Sequence, residues 1–489
     1  MNKLFSSLRP EPVWAHFSTL CEIPRASLHE AALIGYLLDW AGGLGISAVV
    51  DEAGNLLLKK PASPGFEEAP GVILQGHLDM VCQSNAATAH DFLRDSLPVE
   101  VRDGWVIAPL TTLGADNGIG VALALAALED ETLLHPALEV LLTVNEESGM
   151  DGARALVPGT LHGKMLINLD AEEWGHFYLG CAGGVDVEVE RLCQQQVLPQ
   201  GYVIHQLGIS GLLGGHSGID IHLGRANAIR LLAEILRALS ARTDLRLIAM
   251  HGGTARNAIP REAYAIFALP AGVELAEMLQ FWQDEWRMKY AAEPVSVTMA
   301  CLDSPTGQAA ALFAIDNAER DRLLRYIDTA ANGVAQVSDE FAEVVDTSDN
   351  LGVASLELGR FQATFKVRSL KDERGFRLAD ELLEHAVAAG LQGRQQGAYP
   401  GWTPNPGSAL LRLCQQVYTA EFGQAAGLQV IHAGLECGLL AASHPHLDMI
   451  SFGPDIRGAH APGERVEIAS VARCWTLLKA VLEALARNR

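Results

Sequence analysis

The stretch Gly71-Val72-Ile73-Leu74-Gln75-Gly76-His77-Leu78-Asp79-Met80 decides the architecture. It opens as an apolar run of strand length and closes on a histidine and an acid. Backbone alternation puts His77 and Asp79 on one side and Leu78 on the other. A histidine that holds a metal needs its second ring nitrogen fixed by a carboxylate or carbonyl, and Asp79 is placed to do that. Taken alone, His-x-Asp is a weak signal, because a histidine at a strand end is more often structural.

Outward from this strand, helical and extended stretches alternate. Upstream, helices are predicted over 13–23 and 28–40, ended by the turn Gly42-Gly43-Leu44-Gly45, then short strands over 48–51 and 55–59. Downstream come an Ala- and Leu-rich helix just after Asp116, a strand over 138–144, a short helix near Gly152 and a strand over 165–169. Such alternation predicts an α/β sheet with helices on its faces. From about Gly184 the texture changes: Val185-Asp186-Val187-Glu188-Val189 alternates strictly, as a strand with one wet face would. An amphipathic helix over 225–241, strands near 245–249 and 263–268, and a helix near 275–289 follow, and similar elements recur over 309–388. This middle region carries few candidate metal ligands and reads as an inserted domain. After Gly397-Ala398-Tyr399-Pro400-Gly401 the first style returns, with a helix over 408–422, strands over 430–432 and 449–452, and a closing helix over 468–486. The expected organisation is 1–185 and 399–489 for one domain, and 186–398 for the insertion.

Four further clusters accompany His77 and Asp79. Asp116 sits among glycines in Thr111-Thr112-Leu113-Gly114-Ala115-Asp116-Asn117-Gly118-Ile119-Gly120, where close backbone approach can thrust a carboxylate into a shared site. A helix N-cap is the alternative use of that aspartate, and a phosphate cradle is excluded because no Gly-Lys-Ser/Thr follows. Glu146 and Glu147 lie side by side after an apolar strand, an arrangement that like-charge repulsion disfavours unless a cation is near. In extended backbone the two would point opposite ways, one to a metal and one to a water. Asp170 ends the next strand, and His460 lies in the loop Gly458-Ala459-His460-Ala461-Pro462-Gly463-Glu464. Any one cluster has a bland explanation. Together they match the habit of open α/β sheets, which bind ligands at strand C-termini.

Lys plus Arg number 36 against 59 Asp plus Glu, a net charge of −23, which repels phosphate backbones and anionic lipid. Nucleic acid and membrane are therefore not expected partners. The eight cysteines are scattered without a Cys-x-x-Cys pair, as buried free thiols in a reducing compartment would be. The N-terminus lacks the apolar stretch of a secretory signal. The apolar run over 119–128 is about half of the ~20 residues that cross a bilayer. The expected location is cytoplasmic.

With these motifs assembled, the sequence resembles the M20-type zinc metallopeptidases, and within them the aminoacyl-histidine dipeptidase (Xaa-His dipeptidase) branch. The resemblance runs nearly end to end through GHLDMV (76–81), TTLGADNGIG (111–120), NEESGMDGA (145–153), GCAGG (180–184), GGHSG (214–218), GGTARNAIPREA (252–263), GAYPGW (397–402) and HAGLECG (432–438). It implies an α/β, mixed-sheet two-metal exopeptidase catalytic domain with an inserted α+β lid domain. It also implies that His77 and Asp170 bind one metal, Glu147 and His460 the other, and that Asp116 bridges them. Asp79 would support His77, Glu146 would be the general base, and His216 would stabilise the oxyanion. Asn257, Arg368 and Glu436 would contact the substrate, the last at its amino end. One stretch departs from the family pattern: His460 is followed by Ala461-Pro462-Gly463-Glu464 where the family is closer to Ser-Pro-Asp-Glu. The ligand is intact, and the departure bears on what orients it.

Two histidines and three carboxylates give each ion three protein ligands, counting Asp116 twice, and leave open positions as catalytic sites require. The ligand types suit Zn²⁺, with Co²⁺ or Mn²⁺ as alternatives. The implied activity is hydrolysis of Xaa-His and related unblocked dipeptides, with a homodimer as the family's habit. An aminoacylase- or deacetylase-like action on N-acyl amino acids is the alternative. A serine hydrolase is disfavoured, since Ile219 replaces the second glycine that a Gly-x-Ser-x-Gly motif around Ser217 would need. A non-catalytic binding module would be expected to lack a ligand or the base, and none is missing.

Overall fold

All six residues of Val72–His77 are buried in the computed structural model, which describes residues 4–302, 312–339, 341 and 344–488. The strand runs parallel to Leu138–Thr143 on one edge and to Met165–Asn168 on the other. Enclosed on both faces and both edges, it has no wet side, which is why its sequence shows no alternation. Asp448–Ser451 continues the parallel set beyond Met165–Asn168. Antiparallel strands flank it: Leu56–Lys60 and then Ser47–Val50 on one side, His176–Cys181 on the other, with Gly427–Ile431 at the far edge. The eight-stranded sheet is therefore mixed, as expected.

Helix Ala115–Glu129 packs on this sheet beside Glu11–Glu22. It is buried at every position from Asn117 to Leu128. A helix that is apolar all round must be enclosed, so the run over 119–128 is a core helix. Among the described residues no helix is long and apolar enough to cross a membrane. Gly120 lets this helix touch the neighbouring strand end: a Cβ there would collide with the Leu169 carbonyl and lie 2.6 Å from the Asn117 amide nitrogen. Gly120→Ala is expected to destabilise the fold by about 1–3 kcal/mol or more, since backbone cannot yield as a flexible side chain does. Thermal melting checks this, and an unchanged Tm would contradict it.

The chain divides into two compact units, one of residues 1–181, 402–430 and 435–489, the other of 182–401 and 431–434. The second is built on a nine-stranded sheet and contains two modules of one topology. In the first, strand Tyr202–Ser210 is followed by helix Ala228–Ser240, strands Arg246–Gly252 and Ala263–Pro270, helix Ala276–Lys289 and strand Ser296–Cys301. In the second, strand Gly183–Leu192 is followed, after the whole first module, by helix Asn317–Thr329, strands Val345–Glu357 and Arg360–Ser369, helix Asp372–Ala388 and strand Gln392–Tyr399. Each module places its strands in the spatial order second, third, first, fourth. They join through their second strands, Met250 opposite Leu356 and Gly252 opposite Ala354, antiparallel. This is the recurrence legible over 309–388, of which residues 309–311, 340, 342 and 343 lie outside the described residues.

Two expectations need correction. Strand Gly183–Leu192 does not present a simple wet face: Asp186 is buried and paired with Lys366 Nζ at 2.9 Å and an Arg256 guanidinium nitrogen at 2.9 Å. A buried acid persists here because two cations compensate its desolvation. None of the eight cysteines forms a disulfide, as expected, but Cys301 is exposed and Cys82 half-buried.

Candidate active site and metal centre

The C-terminal ends of three parallel strands deliver the chemistry. His77 is the last residue of Val72–His77, Asp170 follows Met165–Asn168, and Glu146 and Glu147 follow Leu138–Thr143. His77 Nδ1 lies 3.1 Å from the Asp79 carbonyl and 3.4 Å from Asp79 Oδ1, so it faces acceptors and carries the proton. Nε2 is then the nitrogen that would meet a cation, once its own proton is displaced. It lies 3.1 Å from Asp116 Oδ1 and 3.4 Å from Asp170 Oδ1. The other Asp116 oxygen, Oδ2, lies 3.1 Å from His460 Nε2, which is itself 3.1 Å from Glu147 Oε2. Asp116 thus stands between the two histidines, one oxygen toward each.

Ligand atoms within 4.8 Å of one another group as His77–Asp116–Asp170 and as Asp116–Glu147–His460, with a further combination His77–Glu146–Glu147. The first two groups bring together residues that the resemblance implies for the two cations. Whether these residues fit cations is answered by two features of the pocket. Glu147 Oε1 is buried without a hydrogen-bond partner and Asp170 Oδ1 has only the long 3.4 Å contact with His77 Nε2, which is costly for carboxylates unless a cation meets them. The histidines, moreover, hold protons where a cation would sit. His460 is pushed up to about 11 by hydrogen bonds to Asp116 and Glu147, against its burial. Burial alone would lower His77, yet the charge of Asp170 and hydrogen bonds to Asp116, Asp170 and Asp79 raise it well above the usual imidazole range. Asp170 itself is pushed up to about 7, first by burial and then by the charges of Asp116 and Glu147, which outweigh His77. Crowded carboxylates competing for protons fit a divalent cation pair.

Glu146 and Glu147 do not lie in extended backbone. Asn145 takes a left-handed conformation (φ 55°), and Glu146–Gly149 forms a helical turn. Asp79 anchors that turn: its carboxylate accepts the backbone N–H of Glu146 at 2.9 Å, that of Glu147 at 3.1 Å and the Ser27 hydroxyl at 2.7 Å. Burial opposes the Asp79 anion, but hydrogen bonds to His77, Ser27 and Glu146 hold it down at about 2. One buried anion therefore orients His77 and both glutamates, a wider role than the sequence suggested. Burial, and then the charges of Asp170, Glu436 and Glu147, raise Glu146 well above the ordinary carboxylate range despite His77.

Glu436, at the start of helix Glu436–Ser443, is fully buried. Its Oε2 accepts from Gln75 at 2.6 Å and Thr143 at 2.7 Å, while Oε1 has no partner. Burial pushes it up to about 7.

The remaining expected residues cluster in the second unit. Strand pairing sets His216 opposite Ala258, and the adjacent Asn257 carbonyl accepts the Ser217 N–H at 2.8 Å. His216 Nδ1 accepts the amides of Gly218 at 3.2 Å and Ile219 at 3.1 Å, so its proton resides on Nε2. That Nε2–H stands 3.4 Å from an Arg368 guanidinium nitrogen. Burial, and then Arg368, push His216 down to about 4, leaving it neutral. Arg368 is buried, donating to the Tyr399 hydroxyl at 2.8 Å and toward Ser217 Oγ at 3.4 Å. Two donors converging in this way are suited to an anion. His432, which the sequence did not single out, lines this cluster 2.7 Å from Ser348 Oγ. Arg25 and Glu464, both buried beside the Asp116 loop, were likewise not foreseen; an isolated arginine and the end of a loop motif carry no signal of their position.

Residues 207–291 match the family described as a peptidase dimerisation domain, the stretch occupied by the first module of the second unit. The chain is 42% identical over 481 residues to the cytosol non-specific dipeptidase of Escherichia coli (strain K12), covering 98% of this chain and 99% of that relative. The crystal structure of the aminoacylhistidine dipeptidase from Vibrio alginolyticus superposes with a TM-score of 0.85 at 40% identity, over 99% of this chain and 98% of that one. An aminopeptidase from Bacillus cereus shares the fold at 16% identity, with a TM-score of 0.56 over 98% of this chain and 99% of that one. Full-length likeness at this level, on a fold whose strand ends gather two histidines and four carboxylates, leaves one conclusion: the chain belongs to the M20 family of metallopeptidases.

Proposed function

We propose that the protein hydrolyses unblocked dipeptides, Xaa-His among them, in the cytosol. The observation that carries this is Asp116, whose two oxygens each lie 3.1 Å from a different histidine. His77, Asp170 and Asp116 would hold one divalent cation, and Glu147, His460 and Asp116 a second, with zinc favoured by the donor set over cobalt or manganese. When bound, such a pair supplies Lewis-acid activation of water and of the scissile carbonyl.

The chain's own groups do the rest. Glu146 takes a proton from the attacking water at its carboxylate and returns it to the leaving amine nitrogen, so the carboxylate is regenerated as the C–N bond breaks. Neutral His216 offers its Nε2–H to the oxygen that gains charge as the carbonyl carbon becomes tetrahedral. Arg368, together with Asn257, is suited to the free carboxylate of the product amino acid. The unpartnered Glu436 Oε1 suits the substrate's ammonium. A buried carboxylate reserved for a cationic amine favours free dipeptides over N-acylated amino acids. For a homodimer, the second strand of the dimerisation module is already paired with Val345–Glu357 of the same chain, so a partner would dock on another surface.

The test compares Ala-His and β-Ala-His with their N-acetylated forms, before and after chelation. Turnover of the free dipeptides, its loss on chelation and its return with zinc are expected, with at least ~10-fold discrimination against the acetylated forms, the difference of ~1.4 kcal/mol that a mispaired buried charge readily exceeds. Equal rates on acetylated substrates would instead identify an N-acyl amidohydrolase.

A further inference from the structure

Arg25 and Glu464, two buried side chains outside the ligand set, grip the loop that carries Asp116, one by a backbone carbonyl and the other by backbone amides. Arg25 is 1% exposed, yet its guanidinium is engaged by backbone carbonyls. Nη1 donates to the Leu78 carbonyl at 2.9 Å and to that of Asp79 at 3.0 Å, and Nη2 donates to the Gly114 carbonyl. It therefore joins the turn just after His77 to the residue two before Asp116. The loop sequence is shaped around it: Gly114 is in the left-handed region (φ 64°), and a Cβ on Gly118 would lie 2.7 Å from Nη2. Glu464, also 1% exposed, turns its carboxylate to the amides of that loop. Oε2 accepts the N–H of Leu113 at 2.7 Å and Gly114 at 3.0 Å, and Oε1 those of Ala115 at 2.8 Å and Asp116 at 3.3 Å. Glu464 belongs to the loop of His460, which is tied down again by Gly463 N–H to the Ala108 carbonyl at 2.9 Å. It is the one residue of the Ala461-Pro462-Gly463-Glu464 segment whose side chain reaches the Asp116 loop through these bonds.

The two staples act on different distances. Arg25 sets the separation of His77 and Asp116; Glu464 sets that of Asp116 and His460. Charge-assisted bonds to backbone are directional and strong, and partners that orient metal ligands typically account for ~10–100-fold in affinity. We infer that Arg25 and Glu464 are positioning residues that tune the two cation sites separately, Arg25 the His77–Asp116–Asp170 site and Glu464 the Asp116–Glu147–His460 site. This rests on the ligand assignment above.

The experiment is a stepwise zinc titration of the metal-free protein against a competing chromophoric chelator, with the melting temperature of the metal-free form measured alongside. Arg25→Met is expected to weaken one zinc step by ~10–100-fold and Arg25→Lys to recover part of it, while Glu464→Gln weakens the other step by a similar factor. His460→Ala identifies the steps: in that background Glu464→Gln leaves the surviving step unchanged and Arg25→Lys still weakens it. Variants that depress both steps equally, or neither, would overturn the inference; a merely structural role would lower the melting temperature and move both steps together. Should Arg25→Met fail to fold, Arg25→Lys and Glu464→Gln in the His460→Ala background decide the matter. A wild-type chain that takes up no zinc would instead refute the ligand assignment.

Discussion

Glu146→Gln should lower kcat by ~10²–10⁴-fold, the usual worth of a positioned proton-transfer group, while the protein still binds two equivalents of zinc. Gln is nearly isosteric and keeps the backbone N–H that Asp79 Oδ1 accepts, so the helical turn holding Glu147 should survive. What is lost is the ability to take a proton from water and return it to nitrogen. Because the interaction is made in the transition state, KM should change little while kcat and kcat/KM fall together. Metal analysis is decisive here, since Glu146 also lies within ligand reach of His77 and Glu147. If Glu146 were a ligand, the variant would lose zinc together with activity. Parental turnover in a zinc-replete variant would remove Glu146 from the proton-transfer role.

The strand ends could be read from sequence because each is local. An apolar run stopping at His77, at Asn145-Glu146-Glu147 or at Asp170 announces both the element and the side chains beyond it. The topology that brings these ends together is likewise implied by strand–helix alternation. Local pattern misled where a tertiary partner intervened. Glu146 and Glu147 look extended after a strand, but Asp79, distant in sequence, caps them into a turn. Asp186 looks like the wet side of an alternating strand, but Lys366 and Arg256 draw it inward. Arg25 and Glu464 act on backbone amides and carbonyls, which every sequence contains, so no residue type marks their partners. The recurrence in the middle region was visible as similar elements, yet its first strand, Gly183–Leu192, precedes the whole other module, and nesting of that kind leaves no trace in local periodicity.

Asp116→Asn should cost more than the loss of any other single ligand, because it removes an oxygen from both cation sites at once. Asn keeps the shape but presents one carbonyl oxygen and one NH₂, so one of the two histidine-facing positions acquires a donor where a cation needs a lone pair. Zinc stoichiometry should fall below two, and affinity at the surviving site should drop by more than ~100-fold, above the range seen when only an orienting partner is removed. Stability should respond unequally in the two states. In the metal-free protein Asp116 is one of the charges that push Asp170 up to about 7, but against its burial the hydrogen bonds and charges of His460 and His77 hold its own carboxyl below the ordinary range, so its neutralisation loses more than the repulsion it relieves. The metal-free melting temperature should therefore fall modestly. The zinc-bound form is different: ligand at 1,000 times its Kd contributes ~4.1 kcal/mol, and at zinc concentrations that saturate the wild type the variant should lose most of that gain. A shared ligand predicts that both zinc steps weaken. If one step keeps wild-type affinity, Asp116 serves a single cation and the two-site centre must be built on some other bridge.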